Sequence, residues 1–275
     1  HMLHFIVTRL NFKISVMNSS EKQILDNISQ DFGSAASQYQ KSAKLQQQIA
    51  QDLISPFKDK IHKEQNIIDL GCGNGTLANI LNGYDPQKFY QIDIAKEMCD
   101  LARQNNCQTK KADFHNLPFT ENKFDLILSA SSLQWSYNLD KCFQEIKRIA
   151  KDNAKIAICF FVAGSLSELS KINKLLTTPI EIHKFPTKQH ISSAHKTLSR
   201  FGCKISYKKY QEEFPNLISC LKGLKAIGAR AKNNKDQKFL GKGFYGNLEN
   251  CDKILHNNQK QNFKISWNVV IIKNI

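Results

Sequence analysis

Long hydrophobic runs are missing from this sequence. No apolar stretch approaches the roughly 18–20 residues that cross a bilayer. The opening residues, HMLHFIVTRLNFKISV, hold too little basic charge and too few small side chains for a secretion signal. His1-Met2 reads as a cloning remnant and Met17 as the natural start, so residues 1–17 are expected to be a tag remnant or disordered leader. Eight cysteines are present (Cys72, Cys99, Cys107, Cys142, Cys159, Cys203, Cys220, Cys251), yet no two form a C-x-x-C pair, which argues against a zinc site. Several sit in apolar runs, such as Cys159 in IAICFFV, and are expected as small buried side chains in a reducing cytoplasm, with no metal. Acidic residues are in short supply: 24 Asp and Glu face 39 Lys and Arg, a net charge of +15. That surplus suits nucleic acid, an anionic membrane or an acidic protein. A lysine-rich, AT-rich genome would give the same count. The lysines are scattered along the chain, so charge alone selects no partner.

What is present is a rhythm. Ser19–Gln30 is expected as a helix capped by Ser19 or Ser20. A second helical run follows, with Ala35, Tyr39, Ala43, Gln46, Ala50 and Leu53 on one face and Pro56 ending it. From residue 66 strands and helices alternate. Strands are expected at 67–70, 88–94, 107–113, 124–131 and 155–162, with helices at 76–82, 96–105 and 139–150. Such alternation implies a parallel sheet with helices on both faces. Beyond residue 162 the pattern changes: a capping box at Ser165 and Glu168, a helix at 190–200, a strand at 204–210 and a helix at 215–227. Residues 231–260 are polar and without clear period, and FKISWNVVIIK at 263–273 is a last strand. This reads as one domain with an N-terminal helical extension and an insertion before the final strand.

The chemistry concentrates at NIIDLGCGNGT, residues 66–76. Gly71, Gly73 and Gly75 follow the first strand directly, where open α/β sheets bind ligands and where a missing Cβ lets backbone approach them. The spacing is G-x-G-x-G, not the G-x-G-x-x-G of dinucleotide sites, and no Lys-Ser/Thr follows as in a P-loop. Asp93 closes the second strand, 20 residues beyond Gly73, where an acid accepts ribose hydroxyls. Asp113 closes the third, placed to accept from an adenine amino group beside Phe114. Asp69 ends the first strand, able to take an amino group or to order the turn.

These glycines and strand-end acids resemble the S-adenosylmethionine site of class I methyltransferases, whose first motif is D-x-G-x-G-x-G; here it is DLGCGNG. The resemblance implies an α/β, Rossmann-like fold with a seven-stranded, mostly parallel sheet, an antiparallel last strand, N-terminal lid helices and a helical insertion. It assigns Asp69, Gly71, Cys72, Gly73 and Gly75 to the amino-acid end of the cofactor. Asp93 goes to the ribose, and Asp113 and Phe114 to the adenine. Gln46, Ile94, Met98 and Ser129 join this cofactor set. The domain is then divided into lid helices at 18–65, a cofactor-binding core at 66–163, a substrate-side insertion with strand six at 164–260, and the closing strand at 261–275.

Outlying segments narrow the family. Phe32, Ala36, Tyr39, Ala43 and Gln46, then Leu133-Gln134-Trp135, GSLSEL, and LKAIGA at 224–229 are together similar to malonyl-acyl-carrier-protein O-methyltransferase of biotin synthesis. That similarity implies methylation of a malonyl thioester's free carboxylate. A carboxylate is already ionised at neutral pH, so no general base is required. Tyr39, Trp135 and Arg230 are the candidates for aligning it, with Lys225 and the amino end of the GSLSEL helix as further anion holders. His115 is read as a loop residue. The implied partner is an acidic acyl carrier protein bearing malonyl-phosphopantetheine, in the cytoplasm, with neither nucleic acid nor membrane involved. No Asn-Pro-Pro-Tyr-like motif supports RNA methylation. A methyltransferase for another small carboxylic acid or a quinone stays open, as does coenzyme A in place of the carrier protein.

Overall fold

The chain was analysed as a computed structural model, which describes residues 19–176, 179–180, 182–227, 248 and 262–275. Seven strands form one sheet: β1 (Ile67–Leu70), β2 (Phe89–Asp93), β3 (Gln108–Lys111), β4 (Phe124–Ala130), β5 (Ala150–Phe161), β6 (Lys204–Phe214) and β7 (Phe263–Lys273). Their spatial order is β3-β2-β1-β4-β5-β7-β6. The first five pair in parallel, while β7 runs antiparallel to both β5 and β6. The antiparallel last strand expected from the sequence is thus present, wedged between β5 and β6.

Helices cover both faces. They are α1 (Ser19–Ser42), α2 (Lys44–Ile54), α3 (Thr76–Ile80), α4 (Lys96–Ala102), α5 (Leu139–Ile149), α6 (Ser167–Ile172), α7 (Lys188–Lys196) and α8 (Leu217–Ala226). One face holds a core built from α2, α3, α6 and α8 against the sheet, including Leu53, Leu77, Leu169, Leu224 and Trp267. The other buries α5 and α7 through Phe143, Ile146, Ile149 and Ile191. Helix α5 shows why sequence periodicity works. Leu139, Cys142, Phe143, Ile146 and Ile149 make one apolar stripe, and Asn138 caps the helix by accepting from the Lys141 N–H. Central β1 is buried at every residue, as a strand covered on both faces must be.

Several boundaries differ from the sequence reading. The two N-terminal helical runs are expected to part near residues 31–34, but α1 continues to Ser42 and breaks at Ala43. Gly33 does not end the helix. A Cβ there would come within 2.5 Å of the Glu97 carboxylate, so glycine lets α1 lie closely on α4. The backbone carbonyl of Gln40, near the break, accepts from the Gln47 side-chain amide at 3.2 Å. The Ser165–Glu168 capping box does not form. Ser165 Oγ donates to Val162 O and accepts from Asn268 N, and Glu168 accepts from Ser266 N, so both anchor the loop to β7. Helix α6 begins only at Ser167, behind Leu166 at φ 57°. The capping box lies instead at Thr187 and His190, before α7. Strand β6 runs on to Phe214 because β7 pairs with it to Phe263.

The strand order reverses between β1 and β4. Connections leave those two strands toward opposite sides, which opens a crevice at their carboxyl ends. No described helix is long and apolar enough to cross a membrane.

Candidate functional site

The register places the strand-end acids together. Asp69 pairs across from Gln91 and Leu128, and Asp93 across from Lys111, so the ends of β1, β2, β3 and β4 meet at one rim. A cleft of about 850 Å3, its open mouth included, runs along this rim. Among its walls are Gln46, Asp69, Gly71, Cys72, Gly73, Asp93, Ile94, Met98, Asp113 and Phe114, with Phe32, Tyr39 and Trp135.

The turn after β1 is held by backbone bonds: Cys72 N donates to Ile92 O at 2.8 Å, and Gly75 N to Cys72 O at 2.9 Å. The glycines are required for different reasons. At Gly71, φ is 70° and an added Cβ would fall 1.7 Å from Ser132 Oγ, so the β4 loop itself excludes a side chain. At Gly73, φ is 54° and the nearest atom to such a Cβ is Tyr39 Cε1, 3.9 Å away. Space is therefore kept there between turn and helix α1, on the cleft. Gly75 is absent from the cleft wall, and a Cβ there would strike the Asn105 amide, so its need is packing.

Asp93 organises the turn. Its Oδ2 accepts from Gly73 N and its Oδ1 from Ala95 N, both at 2.9 Å. Each oxygen keeps a lone pair for a further donor. Burial nonetheless raises its pKa, opposed by those backbone bonds. Asp69 is 1% exposed, and its Oδ1 has no hydrogen-bond partner among the described residues. Burial, and then the like charge of Asp93, push its pKa up to about 8. The Cys72 thiol is pushed well up by burial and both acids, and the Tyr39 phenol by burial and Asp93. Two carboxyls without a cationic partner among the described residues, under one cleft, are a site built for a cation or an amino group.

Two placements depart from expectation. Ser129 does not face the cleft: it is fully buried and donates to Leu70 O at 2.8 Å, bracing β4 against β1. Its followers Ala130, Ser131 and Ser132 take the wall position. Lys225 is exposed on α8, away from the cleft wall. Arg230 and most of the 231–260 segment lie outside the described residues. The amino end of the six-residue α6 offers no anion site, since Glu168 sits in its first turn. No group of His, Cys, Asp and Glu fit for a metal occurs among the described residues.

Sequence reasoning also missed residues. His115 sits in the turn after β3, as expected of a loop residue, but its side chain is buried and contacts Asp113 at 2.6 Å. A histidine two residues past a strand-end acid is the available signal. Ser131 carries φ 55° and a buried hydroxyl without a partner among the described residues. Its backbone is pinned by Cys159 O and by the Gln134 amide. Nothing local in LSASSLQW announces a left-handed serine.

The donor set fits S-adenosylmethionine. The orphaned Asp69 oxygen suits its amino group, the Asp93 carboxylate a ribose diol, Asp113 an exocyclic amine, and the open face of Gly73 a close backbone approach. Comparison with known proteins agrees. Residues 61–213 match the family model described as a methyltransferase domain. The chain is 27% identical over 214 residues to malonyl-[acyl-carrier protein] O-methyltransferase of Geobacter sulfurreducens, covering 72% of this chain and 79% of that one. It is 26% identical over 256 residues to the biotin biosynthesis bifunctional protein BioHC of Saccharophagus degradans, covering 88% of this chain and 45% of that one. The fold is shared with the YcgJ protein of Bacillus subtilis, at a TM-score of 0.53 and 15% identity over 82% of this chain and 99% of that one. With the glycine turn, the three strand-end acids and a family match over more than half its length, the chain belongs to the methyltransferase domain family.

Proposed function

We propose that this protein methylates the free carboxylate of a malonyl thioester carried on acyl carrier protein, as the first step toward a pimeloyl chain for biotin. The relatives named for that reaction and for biotin biosynthesis support the substrate. The observation that carries the chemistry is the outer part of the cleft. It is walled by Phe32, Tyr39 and Trp135, and no His or Lys lines the cleft among the described residues. The Cys72 thiol and Tyr39 phenol are both held protonated at neutral pH. Asp69 and Asp93 are committed to the cofactor's amino group and ribose. A cleft without a spare base suits an acceptor that arrives already nucleophilic, as a carboxylate does.

S-adenosylmethionine supplies a methyl group on a cationic sulfur. When bound, it would give that methyl group to the acceptor oxygen and keep the bonding electron pair on its sulfur. The protein's part is alignment and exclusion of water. Helix α1 does both as a lid. Phe32 packs edge-on to Trp135 at 5.4 Å and to Tyr39 at 6.5 Å, roofing the cleft with aromatic surface. Ser29 Oγ fastens the helix to Ile94 O at 3.1 Å, beside the ribose acid. The small buried cluster of Ala36, Ala95 and Met98 packs the helix onto the segment after β2. Asp113 and Phe114 take the adenine, and Trp135 walls the acceptor. The partner is an acidic carrier protein, drawn by the +15 surplus in the cytoplasm, with no nucleic acid or membrane taking part.

Mass spectrometry of malonyl-carrier protein after incubation with enzyme and S-adenosylmethionine tests the reading. The expected result is a gain of one CH2 on the malonyl group. Parallel arms with malonyl-coenzyme A and free malonate identify the carrier. Methylation of free small acids with none on either thioester would overturn the assignment.

A further inference from the structure

His115 joins Asp113, on the cleft wall, to Ser136, next to the turn that carries Trp135. Its backbone N–H donates to Asp113 Oδ1 at 2.9 Å, and its ring Nδ1 meets the same oxygen at 2.6 Å. Its Nε2 meets Ser136 Oγ at 2.7 Å, and Ser136 Oγ accepts from Asn138 N at 3.2 Å. The ring is 1% exposed at the residue level and is sandwiched, with centroids 3.8 Å from Tyr137 and 4.7 Å from Phe114.

Counting donors places one proton. An ionised Asp113 only accepts, so Nδ1 carries a hydrogen and donates to it. In the neutral ring, Nε2 then accepts from the Ser136 hydroxyl, whose oxygen in turn accepts from Asn138 N–H. Each group in this row has one partner per hydrogen. Both His115 bonds fall on Oδ1. They saturate that oxygen and hold the carboxylate plane, leaving Oδ2 without a bond among the described residues. Asp113 lines the cleft, so Oδ2 is the oxygen left for a ligand. Ser136 directly follows the short turn Leu133–Trp135 that carries the aromatic wall.

We infer that His115 is the positioning residue that sets base specificity at the cofactor site, by locking Asp113 in the one orientation that accepts a 6-amino group. This rests on the adenosyl-cofactor reading above. Without the ring, Asp113 Oδ1 keeps only the backbone N–H bond, and the carboxylate is no longer held in one plane or shielded from water. It then no longer distinguishes a purine with the amino group from one without it. Ser136 Oγ anchors the ring at Nε2, on the side away from Asp113, so Ser136 contributes to the same property at one remove.

The test is calorimetric binding of S-adenosylhomocysteine and of its analogue whose base is unsubstituted purine. The wild-type chain is expected to prefer the adenine form by about 10–100-fold, as one hydrogen bond to a charged acceptor gives. His115→Ala is expected to reduce that preference to about threefold or less. Affinity for the purine analogue should stay within about twofold of wild type. His115→Asn, whose amide nitrogen stands where Nδ1 does, should restore the preference. Ser136→Ala should give an intermediate value, and it decides the matter should His115→Ala not fold. Equal weakening of both ligands in His115→Ala, with the preference intact, would overturn the inference and leave the cofactor reading standing. Failure of the wild-type chain to bind either ligand would overturn that reading, and this inference with it.

Discussion

Replacing Asp69 with Asn should make the protein more stable at high pH while weakening the cofactor. An unfolded-chain aspartate titrates near 3.9; in the fold Asp69 is raised to about 8. The sign follows from which state holds the proton. Below pH 4 both states are protonated and the shift costs nothing. As pH rises, the unfolded chain ionises freely while the fold must keep the proton, so stability falls until both have lost it above pH 8. The slope is about 1.4 kcal/mol per pH unit. Between pH 5 and pH 8 that sums to about 4 kcal/mol at most, and relaxation of the site brings it to about 2–3. Asn is nearly isosteric and cannot ionise, so this cost vanishes. Urea unfolding of both chains at pH 5, 6.5 and 8 is the assay. The stability difference in favour of Asn should be smallest at pH 5 and grow by about 2–3 kcal/mol by pH 8. Calorimetry at pH 7 should show affinity for S-adenosylmethionine lower by about 10–100-fold. It should also show proton release on binding in the wild-type chain that Asn lacks. A stability difference that does not change with pH would refute the reasoning, because it would mean that Asp69 ionises in the fold as readily as outside it.

Three other substitutions separate the roles in the cleft. Gly71→Ala should lower stability by about 2–4 kcal/mol, since its Cβ would fall 1.7 Å from Ser132 Oγ on a left-handed backbone; thermal melting measures it. Gly73→Ala has room, with Tyr39 Cε1 at 3.9 Å, but its φ of 54° is left-handed, so it should lose about 1–2 kcal/mol, less than Gly71→Ala, yet bind S-adenosylhomocysteine at least about 10-fold more weakly. Tyr39→Phe should leave the pH profile of kcat unchanged between pH 6 and 9, because burial and Asp93 keep the phenol protonated throughout; a lost limb would make Tyr39 a base.

The sheet was legible because its signal is local. An apolar run such as FDLILSA must be buried on both faces, and alternation with helices leaves few ways to do it. The strand-end acids were legible for the same reason. Once β1, β2 and β3 are placed, Asp69, Asp93 and Asp113 must fall on one rim. Helix α1 defeated the local rules because Gly33 looks like a breaker until α4 is beside it. Ser165 and Glu168 have capping-box spacing, but β7, about 100 residues on, offers them better partners. Tertiary bonds outrank a cap worth about 1 kcal/mol.

The site itself divides along that line. Positions at the rim are set by strand ends and can be counted from the sequence. What each position does is set by contacts across the crevice, and those cannot. Gly71 and Gly73 look equivalent in DLGCGNG, yet one answers to Ser132 of the facing loop and the other to open space beside Tyr39. Asp113 looks like a free acceptor until His115 and Ser136, 21 residues apart, are found to occupy one of its oxygens in series. Ser129 looks like a cleft residue until its hydroxyl is found on Leu70 O. Ser132 and Ser136 come from the loop after β4 and Leu70 from β1 across from it, while Tyr39 comes from α1 and His115 from the loop after β3. Strands β1 and β4 flank the point where the sheet reverses, and this is why the same loop both shapes the glycine turn and carries Trp135 onto the cleft wall. Changes in residues 130–137 should therefore alter cofactor and acceptor affinity together, whereas changes at Asp93 or Gly73 should act on the cofactor alone.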